Sequence, residues 1–464
     1  NRDFITQSQP ETHAAVRVLT EWNPMVVLDL HGFVDPMLIE PCTPPHNPNY
    51  EYDLYIKWAY EQVLAMEDEL FAQTGETATT IPIRDWPAEW DDWPPIFTPM
   101  YAMYHGAYGH TLETPHDAGT GVDAHYAAVW GALKFVSENR EGMIRDQIEI
   151  FRRGFLDLPQ VGIPQEILDE LAWEQYNELT LIDFPTAYVI PAEAPLQQSP
   201  HEAARLVDFL LVNDIQVDRA NQAFSLDGTD YPGGTYIVWM DQPKRGLANT
   251  VLWAGWDISD DPGLTMYDIS GWSHPLLWGV TRAVVEDSLD VRTHAINGAE
   301  KPKGSVEGQR GSAYAYLPAG NAAILATNNL LARGVEVYRA GSPFTASGHD
   351  FGVGTFIVQA GPATANELAN GYGLDVFGVD GPPEGATLLH EQRIALFDTG
   401  PGVGFALKSL GFDYDMLSLE DLDPGRDLSE YDVFIDDWWW WDDLSSDGQA
   451  SFLAFMAGGG DYIG

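Results

Sequence analysis

The sequence predicts an α/β protein, with a mostly parallel sheet flanked by helices followed by further α/β and β-rich domains. Two observations support this prediction. Strand-like apolar runs alternate with helical periodicity over the first 140 residues, and the same alternation returns after about residue 390. Strands separated by helices are typical of parallel sheets covered by helices on their faces. The stretch between them, about 304–390, is rich in Gly, Ala and β-branched residues, which favours shorter strands.

The first predicted element is a helix that begins near Pro10. Ala14, Val18 and Trp22 recur every fourth residue and form one apolar stripe. Pro is favoured at a first helical position, and the Asn23-Pro24 pair ends the helix.

Two strands and two helices follow in alternation. Met25–His31 is an apolar run of the buried-strand type, and Tyr52 to about Gln73 forms a long amphipathic helix. Gly109–Glu113 predicts a second strand, and about Val122 to Asn139 a second long helix. The pattern indicates a sheet whose strands are joined by helical connections.

Changes in composition divide the chain into five predicted segments. The first, 1–140, is the α/β region just described. It is followed by a helical connector (141–183), an α/β accessory domain (184–303), a small β-rich or α/β domain (304–390) and a partial α/β domain (391–464). No internal repeat of 20 to 50 residues is expected from the sequence.

The charge of the chain is strongly acidic. Asp and Glu number 70 against 23 Lys and Arg, which leaves a net charge of −47. Such self-repulsion is screened at molar salt, where the Debye length falls to about 3 Å, so we expect a salt-adapted, halophilic protein. An acidic surface protein that binds calcium is the alternative. The acidity argues against nucleic-acid partners, and no apolar run is long enough for a membrane span.

A histidine and a carboxylate mark a candidate site. His31 and Glu113 each stand near the end of a predicted strand, where ligands bind in open parallel sheets. Because side chains alternate along a strand, Asp29 shares a face with His31, and Thr111 shares one with Glu113. Taken alone, each residue type more often has a structural role, His31 as a hydrogen-bonded structural residue and Glu113 as a turn or cap residue.

Four short sequence blocks within residues 1–140 have to be considered together and in their order along the chain. They are Asn1-Arg2-Asp3-Phe4, Gln9-Pro10-Glu11-Thr12, the strand ending in His31-Gly32, and Thr111-Leu112-Glu113 after glycines. In this combination the region resembles the zinc metallocarboxypeptidases of the carboxypeptidase A and D type. The resemblance implies a secreted zinc enzyme that hydrolyses the C-terminal residue of a peptide by means of a zinc-activated water.

The resemblance also implies roles for particular residues. His31 matches a zinc ligand, and Glu113 matches the general base that takes a proton from the zinc-bound water, whose pKa zinc lowers to about 7. Arg2, helped by Asn1, matches the pair that grips the terminal carboxylate of the substrate through two parallel hydrogen bonds. A tyrosine near the substrate would be Tyr101, Tyr104 or Tyr108.

The sequence departs from this family in one respect. Its first two zinc ligands, a His-x-x-Glu motif, lie upstream of the Asn-Arg block, and no residue precedes Asn1 here. We therefore expect a fragment that is itself inactive, whereas its parent protein is an enzyme. His110-Thr-Leu-Glu113 matches the motif in spelling, but on a strand these two side chains point to opposite faces.

The last segment, 391–464, resembles a flavodoxin-like or class I amidotransferase-like domain, with Gly458-Gly459-Gly460 before a strand. The only cysteine, Cys42, lies far from it, so no amidotransferase nucleophile is expected. The run Trp438–Trp441 between aspartates is interpreted as a domain contact or, less simply, as a sugar-stacking surface.

A non-catalytic secreted protein that binds peptides or glycans on the same scaffold is the alternative function. The sequence leaves the oligomeric state and the side-chain preference open.

Overall fold

The chain is described by a computed structural model. It covers residues 3–32, 34–43, 47–82, 84–85, 95–114, 118–171, 181–255, 257, 273–308, 311–397, 401–423, 425–436 and 441–464. The fold is mixed α/β, with several sheets that are in part parallel. It comprises two compact units, residues 1–300 and 301–464. The five finer boundaries expected from composition stay predictions.

Helices in the described residues of the first unit are α1 (Pro10–Trp22), α2 (Tyr52–Thr74), α3 (Thr98–Tyr104), α4 (Ala118–Phe155), α5 (Gln165–Leu171), α6 (Pro200–Val212), α7 (Arg245–Leu252) and α8 (His274–Leu277). Its strands are β1 (Val26–Gly32), β2 (Leu38–Glu40), β3 (Tyr108–Thr114), β4 (Ala187–Ile190), β5 (Asp218–Ala220), β6 (Phe224–Leu226), β7 (Thr229–Tyr231), β8 (Tyr236–Trp239), β9 (Ala283–Val285) and β10 (Thr293–Ala295).

Helices in the described residues of the second unit are α9 (Asn321–Leu331), α10 (Pro362–Tyr372), α11 (Pro401–Ser409), α12 (Leu419–Leu422) and α13 (Ser446–Ala457). Its strands are β11 (Val306–Glu307), β12 (Ala313–Tyr316), β13 (Val337–Arg339), β14 (Phe344–Ala346), β15 (His349–Phe351), β16 (Phe356–Val358), β17 (Val376–Val379), β18 (Thr387–Leu388), β19 (Ile394–Phe397), β20 (Tyr414–Leu417), β21 (Val433–Asp436) and β22 (Asp461–Ile463).

The first sheet has the order β1-β3-β2. Strands β1 and β3 run parallel, as the helical connection between them predicts, whereas β2 is antiparallel to β3. The chain between β1 and β2 is too short for the crossover that a parallel strand requires, so β2 departs from the expected mostly parallel arrangement.

Helix α4 crosses a boundary that the sequence analysis placed at residue 140. A helix was predicted to end near Asn139 and a helical connector to begin at 141, whereas α4 continues without a break to Phe155. Gly142, inside the helix, does not end it, because its missing side chain leaves room for the indole of Trp58 on α2: a Cβ at Gly142 would lie 2.6 Å from that ring. Gly131 allows the same close approach to the α2 backbone.

One hydrophobic core joins the two parts of the first unit. Buried residues between Phe4 and Leu168 and between Tyr188 and Val280 belong to the same cluster. Buried polar contacts cross the same boundary, since Arg153 on α4 and Arg245 on α7 both contact the carboxylate of Glu51. The α/β region that carries β4–β10 therefore folds against the one that carries β1–β3.

The chain contains an internal repeat. The five-stranded sheet of the first unit has the order β10-β5-β8-β4-β9, and the larger sheet of the second unit has β18-β13-β16-β12-β17-β11. Taken in chain order, the strands correspond one to one, with β11 as an addition. Each module also places a helix after its first strand and a two-stranded hairpin, β6–β7 or β14–β15, before its central strand.

Sequence identity supports this repeat. Residues 217–240 and 337–360 align without a gap at a spacing of 120, and ten of the 24 positions are identical. Both hairpins turn at a glycine with positive φ, Gly228 (79°) and Gly348 (82°), which favours glycine in each copy. The sequence analysis expected no repeat of 20 to 50 residues, and it did not consider a repeat with a spacing of 120.

The last sheet has the order β20-β19-β21-β22 and is parallel throughout, as its βαβαβ order predicts. Within the described ranges, no helix combines the length and the apolar character that crossing a bilayer requires.

Candidate functional site

His31 and Glu113 are direct neighbours in the first sheet. They are register partners on the parallel strands β1 and β3, and Asp29 pairs with Thr111 in the same register. Register partners on adjacent strands present their side chains to the same face. The sheet therefore brings the two predicted residues together, at the carboxyl ends of both strands.

A carboxylate holds the imidazole of His31. Its Nε2 lies 2.9 Å from Asp29 Oδ2, two residues earlier on the same face of β1. Both side chains are partly exposed, at 33% and 21%. Such a pair fixes the orientation of the ring and the position of its proton.

Glu113 has a pKa above its usual value. Burial is the main cause, since Leu38 on β2 is its register partner on the side away from His31. His31 lowers the pKa of Glu113 and the carboxylate of Asp29 raises it, by smaller amounts. A carboxyl group that holds its proton closer to neutral pH is suited to acid–base chemistry.

A second carboxyl group, Glu40, lies on the same face of the sheet. It is fully buried on β2 as the register partner of Thr111. Burial raises the pKa of Glu40 to about 8, against hydrogen bonds from Cys42 and Thr111 that lower it. The sequence analysis did not single out this residue, although a carboxylate within the apolar run Leu38–Glu40 is a signal that could have found it.

His110 is separate from the site, as the strand prediction requires. Leu112 and His110 alternate with Thr111 and Glu113 on β3, so the imidazole of His110 lies on the opposite face. It is fully buried, with Nε2 2.9 Å from Gln62 Oε1, and burial lowers its pKa to about 3. His110 and Glu113 therefore do not form a ligand pair.

The three candidate tyrosines are buried in the core of the first unit. The Tyr101 hydroxyl accepts a hydrogen bond from Gln7 and donates one to Asn213. The Tyr108 hydroxyl donates to the Met143 carbonyl oxygen at 3.1 Å. The first set of bonds joins α3 to the end of α6, and the Tyr108 bond joins β3 to α4. Nothing in this arrangement assigns a substrate role to Tyr101, Tyr104 or Tyr108.

The two residues predicted to bind the substrate carboxylate, Asn1 and Arg2, lie outside the described residues. The adjoining Asp3 is described. Its Oδ1 accepts hydrogen bonds from the Ser8 amide (3.0 Å) and hydroxyl (2.7 Å), and its Oδ2 accepts from the Gln9 amide (2.8 Å). Burial raises the pKa of Asp3, but hydrogen bonds from Ser8, Thr6, Thr12 and Gln9 together outweigh it, so the pKa lies well below its usual value. Asp3 thus anchors the turn that leads into α1.

The described residues do not by themselves fit a catalytic zinc ion. Such a site needs three protein ligands and an open position. Among the residues the structure describes, no three His, Cys, Asp or Glu side chains are arranged to hold a metal, and His31 Nε2 faces Asp29. His31 is the single zinc ligand that the resemblance assigns to this sequence.

The second unit contains a cavity of about 890 Å³. It lies at the amino ends of β19, β21 and β22, where Arg393 forms an ion pair with Asp432 at 2.6 Å. Ligands of parallel sheets bind at the opposite, carboxyl end.

Of the tryptophan run, 438–440 lie outside the described residues, and Trp441 packs edge-on against Phe452.

Comparisons of the chain with protein-family models, with characterised proteins and with solved structures find no match.

Proposed function

We propose that the chain carries part of a peptide-hydrolysing site of the metallocarboxypeptidase type, centred on His31 and Glu113. The observation that carries the proposal is their register pairing on one face of the sheet, with Asp29 against the imidazole. The sequence blocks that carry the resemblance contain the same two residues. The substrate would be the C-terminal end of a peptide.

In this proposal each side chain of the site has a separate role. Asp29 holds the ring of His31, so that the imidazole keeps one orientation towards the site. Glu113, with its raised pKa, accepts a proton from the attacking water and delivers it to the leaving amine. Arg2 and Asn1 would bind the substrate carboxylate, on the strength of the sequence resemblance alone.

Zinc enters the proposal only through that resemblance. His31 supplies one ligand of the three that a catalytic zinc requires, and the described residues provide no complete set. We therefore expect the isolated chain to bind zinc weakly and to hydrolyse peptides slowly or not at all.

The same geometry favours a second candidate, a non-catalytic protein that binds peptide C-termini. The contact between His31 Nε2 and Asp29 Oδ2 and the incomplete ligand set are what a binding protein on this scaffold would retain. The guanidinium of Arg2 would then be the main determinant of binding.

A binding assay and an activity assay on the full chain in 2 M KCl separate these candidates. Binding of an N-blocked dipeptide is compared with that of its C-terminal amide by calorimetry, and hydrolysis of the dipeptide is followed with added Zn²⁺. Both candidates predict that Arg2→Met weakens binding of the acid at least tenfold and leaves the amide unaffected.

Hydrolysis that Glu113→Gln abolishes without loss of binding supports the enzyme. Glu138→Gln, a change at an exposed carboxylate on α4, is the matched control and leaves the rate unchanged. Carboxylate-dependent binding without hydrolysis supports the binding protein. Equal affinity for acid and amide contradicts both.

A further inference from the structure

An arginine recurs at the same position in both copies of the internal repeat, the first module (β4–β10) and the second module (β11–β18). Arg219 on β5 and Arg339 on β13 lie 120 positions apart, within the stretch that aligns without a gap. Each lies beside a glycine with positive φ, Gly234 (96°) or Gly354 (92°). A Cβ at the first glycine would lie 2.9 Å from the guanidinium of Arg219, and one at the second would lie 3.8 Å from that of Arg339. Both modules therefore hold the guanidinium beside the backbone of a glycine.

In the first module, a carboxylate of the same chain pairs with this arginine. Glu300 Oε1 lies 2.6 Å from Arg219 Nη1, and the Glu300 amide donates to the Tyr236 hydroxyl at 3.2 Å. The hydrogen bond with Glu300 is the main reason that the pKa of Arg219 lies above its usual value, and the charge of Glu193 acts in the same direction. The first module thus shows which ligand fits this arginine, namely the carboxylate of an acidic residue in a polypeptide.

The second module lacks this carboxylate. The register of β18 on β13 matches that of β10 on β5 at a spacing of 93. At this spacing Glu300 corresponds to Arg393, which forms its own ion pair just before β19. The loop after β12, residues 317–320, contains no acidic residue, whereas the loop after β4 contains Glu193. Arg339 is exposed, and within the described part of the chain it forms no ion pair. The arginine is thus retained without the carboxylate that pairs with it in the first module.

Two hydrogen-bond donors lie on the same face of the sheet at this position. Arg339 has Phe356 on β16 and Thr387 on β18 as register partners, so the Thr387 hydroxyl is on the same side of the sheet as the guanidinium. Both Arg339 and Thr387 are exposed. Phe356 stands where the first module has Tyr236, so the second module keeps the contact to a carboxylate but lacks the hydroxyl that accepts from a backbone amide.

A helix terminus at the same edge of the sheet also favours an anion. Strands β12 and β13 are both antiparallel to β16, so they run in the same direction, and α9, which connects them, begins at the edge where both strands end. Arg339 is the last residue of β13. The N-cap of α9, Gly320, offers no side chain to the first amides of the helix, whose positive end is favourable for a negative group.

We propose that Arg339, with the hydroxyl of Thr387, binds the carboxylate of an acidic peptide segment, the ligand that Glu300 provides in the first module. A guanidinium and a carboxylate form charge-assisted hydrogen bonds, which are the stronger ones in proteins. The net charge of −47 repels an acidic ligand in dilute buffer, and molar salt limits the range of this repulsion to about 3 Å. Binding is therefore expected at high salt, where the direct contact with one arginine is the least opposed.

Calorimetric titration of the full chain in 2 M KCl with two pentapeptides tests the proposal. Both peptides are blocked at both ends, and they differ only in a central glutamate or glutamine. The glutamate peptide should bind at least tenfold more tightly, and Arg339→Met should remove this preference. Arg333→Met, at an exposed arginine of the same module that pairs with Glu367, is the matched control and should keep it. Equal affinity for the two peptides, or a preference that Arg339→Met leaves unchanged, overturns the proposal.

A carboxylate introduced opposite Arg339 provides an independent test. Thr387→Glu supplies the carboxylate that the second module lacks, so it should abolish the preference for the glutamate peptide. Thr387→Gln has nearly the same size as that variant without its charge, and it should lower the preference less than threefold. Equal effects of the two substitutions contradict a carboxylate site at this arginine.

The variant Arg2→Met separates this site from the one proposed around His31 and Glu113. Because both ends of the peptides are blocked, they carry no terminal carboxylate, and Arg2→Met should leave the preference for glutamate unchanged. A preference that Arg2→Met removes and Arg339→Met retains would assign the glutamate to that other site and overturn the proposal.

Discussion

Lys244 Nζ lies 2.8 Å from His105 Nδ1, and both side chains are buried. His105 ends α3, just before β3, whereas Lys244 precedes α7. The contact therefore joins the region that carries Glu113 to the α/β module behind it. Burial is the main reason that the pKa of Lys244 falls to about 8 and that of His105 lies well below its usual value.

The pKa of Lys244 predicts a pH dependence of stability. Since its pKa falls from 10.5 to about 8 on folding, the unfolded chain binds more protons between these values. The free energy of unfolding therefore gains about 3 kcal/mol from this group as the pH rises from 7 to 10.5. Lys244→Met removes the gain, measured as the difference between wild-type and variant in denaturant titrations. A constant difference across this range would refute the assignment.

Glu40 predicts the opposite pH dependence. Its pKa rises from 4.5 to about 8 on folding, so its contribution is fully present below pH 4.5 and is lost as the pH rises through 8. The loss amounts to about 3 kcal/mol by pH 7. Glu40→Gln, of nearly equal shape, should narrow the stability difference between pH 4.5 and 7, while Glu138→Gln should not. The idea fails if the two variants respond alike.

Two adjacent arginines on α4 differ in their burial and in the carboxylates with which they form ion pairs. Arg153, 9% exposed, contacts buried Glu51 (2.9 Å) and Asp53 (2.8 Å), whereas Arg152, 49% exposed, pairs with Glu149 at 2.6 Å. Arg153→Met should cost about 3–5 kcal/mol, because it leaves the buried carboxylate of Asp53 without its partner and removes one of the two arginines that contact Glu51. Arg152→Met should leave the free energy of unfolding nearly unchanged, because solvent screens its exposed ion pair with Glu149. Chemical denaturation measures both, and comparable losses would contradict this reading of the buried network.

The acidic composition predicts that salt stabilises the protein. With a net charge of −47, the acidic side chains repel one another most strongly in dilute buffer. High ionic strength screens this repulsion. The thermal unfolding midpoint should rise by at least 10 °C between 0.1 M and 2 M KCl. An unchanged midpoint in differential scanning calorimetry would end the halophilic interpretation.

Local patterns were enough to predict β1, β3 and α2. The apolar run before His31 and the glycines before Glu113 each indicate a strand, and Gly75 marks the end of α2 in the left-handed conformation. Sequence order also indicated that His31 and Glu113 would share an edge. The continuity of α4 across residue 140 was not predicted, although the residues on both sides were predicted to be helical, and Gly142 packs against Trp58 inside this helix.

The sequence alone determined the α/β character, the candidate pair His31 and Glu113, and the acidic charge, because these depend on residue type and short spacing. Tertiary structure decided how Glu40 joins their face, how Lys244 reaches His105, and which large apolar side chains of α4 are left exposed. Those relationships connect residues up to about 140 positions apart. No local pattern specifies them, since they arise only when strands pair in register and helices share a core.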